Sequence, residues 1–178
     1  FMGFRMKVSF GQGVPARVPW ISFFTPEMST SNGFYPVFLY YKAEAKLILA
    51  FGISETHEFG RRWDTELTAG YPLISEVIPS PPRYGDSWAF KVFDVEQNGD
   101  QVDLFINGQK QPAEQIDKHL NEILRLFAKN LDRELADDSS SISAGLFYME
   151  KQLEDFIISN WEKTDFGKSL DLLYEDGV

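Results

Sequence analysis

Eight aromatic side chains, Trp20, Phe23, Phe24, Phe34, Tyr35, Phe38, Tyr40 and Tyr41, crowd between positions 20 and 41, starting at the last residue of the stretch "GQGVPARVPW". Rings with a polar tip, such as Trp20 and Tyr35 at the starts of apolar runs, suit a stacking pocket, because each offers a flat apolar face and one group that needs a partner. Gly11 and Gly13 let the backbone come close to a flat or charged ligand, and exposed amides there bind phosphate oxygens. A two-sided aromatic core accounts for most of these rings, and strand alternation sends half of them to each face.

Other chemistry is sparse. "GQGVPA" imitates a GxGxxA dinucleotide fingerprint, but Pro15 and Pro19 deny it the helix whose N-terminus would hold a pyrophosphate. With no cysteine, disulfides, thiolate metal sites and cysteine nucleophiles are excluded. His57 has no second ligand or nucleophile beside it and reads as a loop residue; His119 falls on the polar, solvated side of a helix. Glu44-x-Lys46 resembles half of a nuclease signature but sits in a turn, with no suitable aspartate before it. The carboxylates of "EKQLEDF" and "LYEDG" read as a helix face and a turn, unless residues beyond Val178 complete a metal site with them. No catalytic and no metal-binding set is assigned.

The elements that position these residues follow from periodicity. "MKVSF" (6–10), "WISFF" (20–24), "YPVFLYYK" (35–42) and "KLILAFGIS" (46–54) read as strands, the third and fourth central and joined by a hairpin through "AEA", with the glycine- and proline-rich stretch as a connection between the first two. Pro36 suits the first position of its strand. Residues 59–87 are irregular with a short helix, and "WAFKVFDV" and "QVDLFIN" form a hairpin about Asn98-Gly99. Ile116, Leu120, Ile123, Leu124, Phe127, Leu131 and Leu135 recur at helical spacing after Pro112. "ADDSSSISAG" is a linker, and "FYMEKQLEDFIISNWEK" is the opening helix of a second domain. The fold class is α+β, a curved, mostly antiparallel sheet with packed helices, in domains 1–135, linker 136–146 and 147–178. The chain opens on Phe1 and closes on "YEDGV", which reads as a fragment of something longer.

Charge is divided along the chain. The net charge of −10 splits into +1 for residues 1–93 and −11 for residues 94–178. A near-neutral front half still accommodates a basic stripe from Arg5, Lys7, Arg17 and Lys42, as contact with a polyanion requires. No apolar run nears membrane-spanning length and no charged leader precedes an apolar core, so no membrane partner is expected.

"KVSFGQGVPARVPWISFF", "SNGFYPVFLYYK", "LILAFGISETHE" and "RYGDS" resemble, in order and spacing, the N-terminal modified-DNA-binding domains of the McrB family, closely over residues 5–93 and fading towards Leu135. The resemblance implies a bacterial cytoplasmic protein that grips duplex DNA and flips a 5-methyl or 5-hydroxymethyl cytosine into a pocket. It casts Trp20 as the aromatic wall, Tyr35 as the residue across from it and Leu39 as the apolar contact at the modified edge. Gly11, Gln12 and Gly13 form the gap-filling loop, and Arg5, Lys7, Arg17 and Lys42 contact the DNA backbone. Gln12 stands where the family pattern has a wedging tyrosine; a glutamine can still fill the gap and hydrogen-bond the orphan guanine.

Residues "MEKQLEDFIISNWEKTDFGKSLDLLYEDGV" resemble the opening of NucS-like nucleases of the PD-(D/E)XK class over about thirty positions. That implies a modification-dependent endonuclease acting in phage defence, Mg2+-dependent as a full-length protein and able to form a homodimer through the full-length protein, with no cofactor in this fragment. Two other classes stay open: a protein-interaction domain that retains the scaffold without a base pocket, and a catalytic nuclease or base-excision domain.

Overall fold

The computed structural model describes residues 3–11, 15–57, 60–98 and 101–131. The chain divides into two units, Phe1–Asp137 and Asp138–Val178, and every described residue lies in the first. There β1 (Arg5–Gly11), β2 (Pro15–Phe24), β3 (Phe34–Tyr41), β4 (Lys46–Ile53), β5 (Trp88–Asn98), β6 (Gln101–Ile106) and β7 (Gln109–Lys110) form one antiparallel sheet in chain order. Helices α1 (Thr65–Thr68) and α2 (Ile74–Val77) interrupt the long β4–β5 connection, and α3 (Ala113–Asn130) follows the last strand. The domain is thus sheet-rich and mostly antiparallel, with few helices. The helix expected to open a second domain lies outside the described residues.

The β3–β4 hairpin is the middle of the molecule, paired without interruption from Phe34↔Ile53 to Tyr41↔Lys46. Its near-continuous apolar sequence matches strands covered on both faces. Pro36 lies in the third position of β3, not the first; the β2 ladder ends at Ser22↔Val37, so the missing N–H leaves no bond unmade on that side.

The glycine-rich stretch is mostly strand. β2 starts at Pro15, paired with Gly11, and the register then shifts, so that Phe10 alone stands against Ala16, Arg17, Val18 and Pro19 before Ser9 meets Trp20. Both prolines occupy places where no ladder N–H is demanded, a strand start and an irregularity. Gln12, Gly13 and Val14 lie outside the described residues.

α3 buries Leu120, Ile123, Leu124, Phe127 and Ala128, the stripe its periodicity predicts. Phe127 meets Phe4, Phe34 and Trp63 with ring centroids at 5.1, 5.7 and 5.2 Å. His119 differs from expectation: its side chain is 13% exposed and its ring lies 6.2 Å from that of Phe93. The sheet extends far enough under α3 for the β5 aromatic to cover a position that the helical pattern alone leaves in water. The β6–β7 hairpin was not anticipated, although Asn107-Gly108, with φ of 51° and 75°, is the dipeptide a two-residue turn favours. Among the described residues no helix is long and apolar enough to cross a membrane.

Candidate functional site

Register decides which of the singled-out residues meet. Trp20 pairs with Ser9 on one side and Leu39 on the other; one step along the same face, Ser22 lies between Lys7 and Val37. Paired residues point to one face, so Trp20, Ser22, Phe24, Tyr35, Val37, Leu39 and Tyr41 share the face turned away from α3, while Phe34 and Phe38 point toward the helix. Trp20 and Leu39 are direct neighbours. Tyr35 stands four residues from Leu39, about 13 Å along the strand, where its ring meets Phe24 edge-on at 6.3 Å. Small side chains, Ser22 and Val37, occupy the interval between the two aromatic ends.

Tyr35 is 1% exposed and Leu39 fully buried, whereas Trp20 is half-buried. The Tyr35 hydroxyl donates to the Thr30 carbonyl at 2.8 Å, which fixes the ring. Behind it Gly52 leaves no room: an added Cβ would fall 2.6 Å from Val37 Cγ1 and 2.8 Å from the Tyr35 carbonyl oxygen.

Of the expected backbone contacts, Arg5 and Lys7 are exposed on edge strand β1 and pair with Phe24 and Ser22, on the same face as Trp20. Arg17 is exposed in the irregular stretch of β2, and Lys42 is exposed in the β3–β4 turn. Gly11 and Lys42 lie at the Trp20–Leu39 end of the sheet, Arg5 at the Tyr35 end. Gln12 and Gly13 fall outside the described residues.

A second layer ties down the same face, and its residues were not singled out by role. Tyr41 donates its hydroxyl to the Arg83 carbonyl at 2.8 Å, and Arg83 Nε meets Glu55 Oε2 at 2.9 Å. The other Glu55 oxygen accepts from the Tyr84 amide, and the guanidinium lies 5.1 Å over the Tyr84 ring. Tyr84 holds a left-handed φ of 65°, a costly conformation for a bulky residue that these contacts maintain. Burial pushes the Tyr35, Tyr41 and Tyr84 phenols above the usual tyrosine range, and the hydrogen bond that Arg83 donates to Glu55 raises Arg83. Only the blocks "GISETHE" and "RYGDS" pointed here.

Residues 2–68 match the MrcB-like, N-terminal domain family. Trp20, Tyr35, Leu39, Arg5, Lys7, Arg17, Lys42 and Glu55 of the MrcB-like region all fall within that span. Over 94 residues, 49% of this chain, the sequence is 37% identical to the type IV methyl-directed restriction enzyme EcoKMcrB subunit of Escherichia coli (strain K12). The match covers 20% of that relative's length. The nuclease-like resemblance at residues 149–178 lies beyond both the MrcB-like span and the described residues.

The remaining candidates are plain. His57 is exposed, with Nδ1 3.1 Å from the Ser31 carbonyl oxygen. Glu44 is exposed in the β3–β4 turn, and Lys46 pairs with Asp94 at 2.6 Å. Among the described residues no three His, Cys, Asp or Glu side chains come together to hold a metal.

Proposed function

We propose that the sheet domain binds duplex DNA carrying a modified cytosine, 5-methyl or 5-hydroxymethyl, and takes that base out of the stack against Trp20, with Leu39 beneath its modified edge and Tyr35 bounding the far end. It would serve as the specificity module of a modification-dependent restriction endonuclease, whose Mg2+-dependent cleavage belongs to residues outside this chain. The observation that carries this reading is the pairing of half-buried Trp20 with buried Leu39 on the face whose edge strand presents Arg5 and Lys7. The likeness to a methyl-directed restriction subunit supports it.

Energetics set what the site must do. Extruding a base costs a few kcal/mol, and stacking it on an aromatic ring returns about 1–3 kcal/mol. Phosphate contacts must therefore supply the rest. One buried methyl adds about 1–3 kcal/mol, so the expected preference over plain cytosine is roughly tenfold to two-hundredfold. Direct binding to duplexes differing in a single cytosine tests this: Trp20→Ala should lower affinity for the modified duplex at least tenfold and erase the preference. Equal affinity of the wild-type chain for both duplexes ends the proposal.

The burial of Tyr35 and Leu39 favours one other reading, a protein-interaction domain whose aromatic face is only a core. It predicts no dependence on cytosine modification, and a Trp20→Ala variant altered in stability alone.

A further inference from the structure

Tyr35, Leu39 and Tyr41 are shut away from solvent, and part of what covers their face is the segment of residues 80–85, which runs ahead of β5 in no strand or helix. Its Arg83 carbonyl accepts from the Tyr41 hydroxyl at 2.8 Å. The Tyr35 phenol, raised first by burial, is raised next by Tyr84, while Arg83 pulls it down, so both residues lie near that ring as well. Ser80, Pro82 and Arg83 are exposed, and Tyr84 is buried. One Glu55 oxygen accepts from Arg83 Nε and the other from the Tyr84 amide. Beyond them the Ser75 amide bonds the Gly85 carbonyl and the Ser87 amide that of Tyr84, both at 3.1 Å. Ser80 and Tyr84 hold left-handed φ of 52° and 65°, a region that residues other than glycine avoid and that suits Ser80 still less because Pro81 follows it. Such conformations persist only where their surroundings hold them, and they collect in segments that switch. Pro81 and Pro82 stiffen the stretch between, which leaves the two strained residues as the points where it can turn.

We propose that residues 80–85 form a strap that opens as a unit from the aromatic face, with Glu55 as its latch, and that the form described above is the closed one. Releasing the carboxylate frees Arg83 and Tyr84 together, relieves both left-handed residues and takes the Arg83 carbonyl away from Tyr41. Opening therefore uncovers Tyr41 and the neighbouring part of Tyr35, and the strength of the latch sets how often that face is available. This holds whichever ligand the face takes.

Native-state amide hydrogen exchange on the 178-residue chain, read residue by residue at low denaturant, tests this with two variants. Glu55→Gln keeps the shape of the latch and removes its charge; Asn130→Ala weakens the tie between α3 and Asp64, in which the strap takes no part. In the wild type the Tyr84 and Ser87 amides should exchange at least about tenfold faster than the slowest amides of β3 and β4, as local opening below global unfolding requires. Asn130→Ala should speed the β3 and β4 amides and leave Tyr84 and Ser87 unchanged. Glu55→Gln, which destabilises the closed form against every open one, should speed both sets about 3- to 10-fold, the worth of about one hydrogen bond. Nitration of Tyr41 by tetranitromethane, mapped by mass spectrometry, should follow the Tyr84 amide in all three proteins. A Tyr84 amide that exchanges with the β3 and β4 set, or that Asn130→Ala speeds equally, shows that the segment leaves only when the whole domain unfolds and overturns the inference. So does a Tyr84 amide without protection, one indifferent to Glu55→Gln, or Tyr41 nitration that does not follow it. Should Glu55→Gln fail to fold, the wild type and Asn130→Ala decide alone. No nucleic acid is present, so each outcome leaves the proposed DNA reading untouched.

Discussion

The position of Tyr35 depends on the residues packed around it. Gly52, opposite Tyr35, is closed in by Val37 and the Tyr35 backbone and gives its carbonyl to Trp63 Nε1 at 3.0 Å. Gly52→Ala should therefore cost about 1–3 kcal/mol in chemical denaturation, the usual cost of overpacking. The phenols of Tyr35, Tyr41 and Tyr84 are raised chiefly by burial, so the unfolded chain ionises first as pH rises. Their contribution is fully present below the ordinary tyrosine value of about 10 and is lost above it. Alkaline titration should show denaturation and phenolate absorbance rising together; early, independent ionisation of these phenols would contradict their burial. His119 behaves oppositely, lowered chiefly by burial and then by Lys91, against the opposing pull of Glu122. Its contribution is full above about pH 6.5 and declines below it. Denaturation midpoints should fall between about pH 7 and pH 5, and His119→Gln should flatten that fall.

Among the elements, α3 packs Phe127 on Trp63 of the α1 approach and is hydrogen-bonded to that approach through Asn130. Asn130 Oδ1 accepts from the Asp64 amide at 2.7 Å, and its Nδ2 donates to the Arg62 carbonyl at 3.2 Å. At about 1 kcal/mol per bond, Asn130→Ala should lower stability by about 1–2 kcal/mol. The shorter Lys46–Asp94 ion pair is solvent-exposed, and Lys46→Ala should cost under about 1 kcal/mol despite the 2.6 Å distance. The opposite ranking in a denaturation series would show that distance outweighs exposure here. The strands, their hairpins and the stripe of α3 were readable because two- and 3.6-residue periods are local. The extension of β2 back to Pro15 was not, because whether a proline sits in a strand depends on which neighbour would have needed its N–H.

At the scale of the whole molecule, the acidic net charge of −10 hides a front half at +1 with Arg5 and Lys7 on the aromatic face. If these side chains meet phosphates, Lys7→Ala should weaken binding to modified and unmodified duplexes alike and reduce the log–log salt slope by about 0.9. A selective loss on the modified duplex would instead place Lys7 at the base. The sequence by itself determined the central hairpin, the amphipathic helix and the aromatic cluster, since composition and period are properties of short segments. It also carried the likeness that singles out Trp20, Tyr35 and Leu39. Only the tertiary structure decided that Trp20 and Leu39 are partners while Tyr35 stands further along, that Ser22 lies between the two ends, and that Glu55, Arg83 and Tyr84 tie down the same face. Those relations join segments from β1 to the approach of β5 through register and a shared carboxylate, which no local pattern encodes.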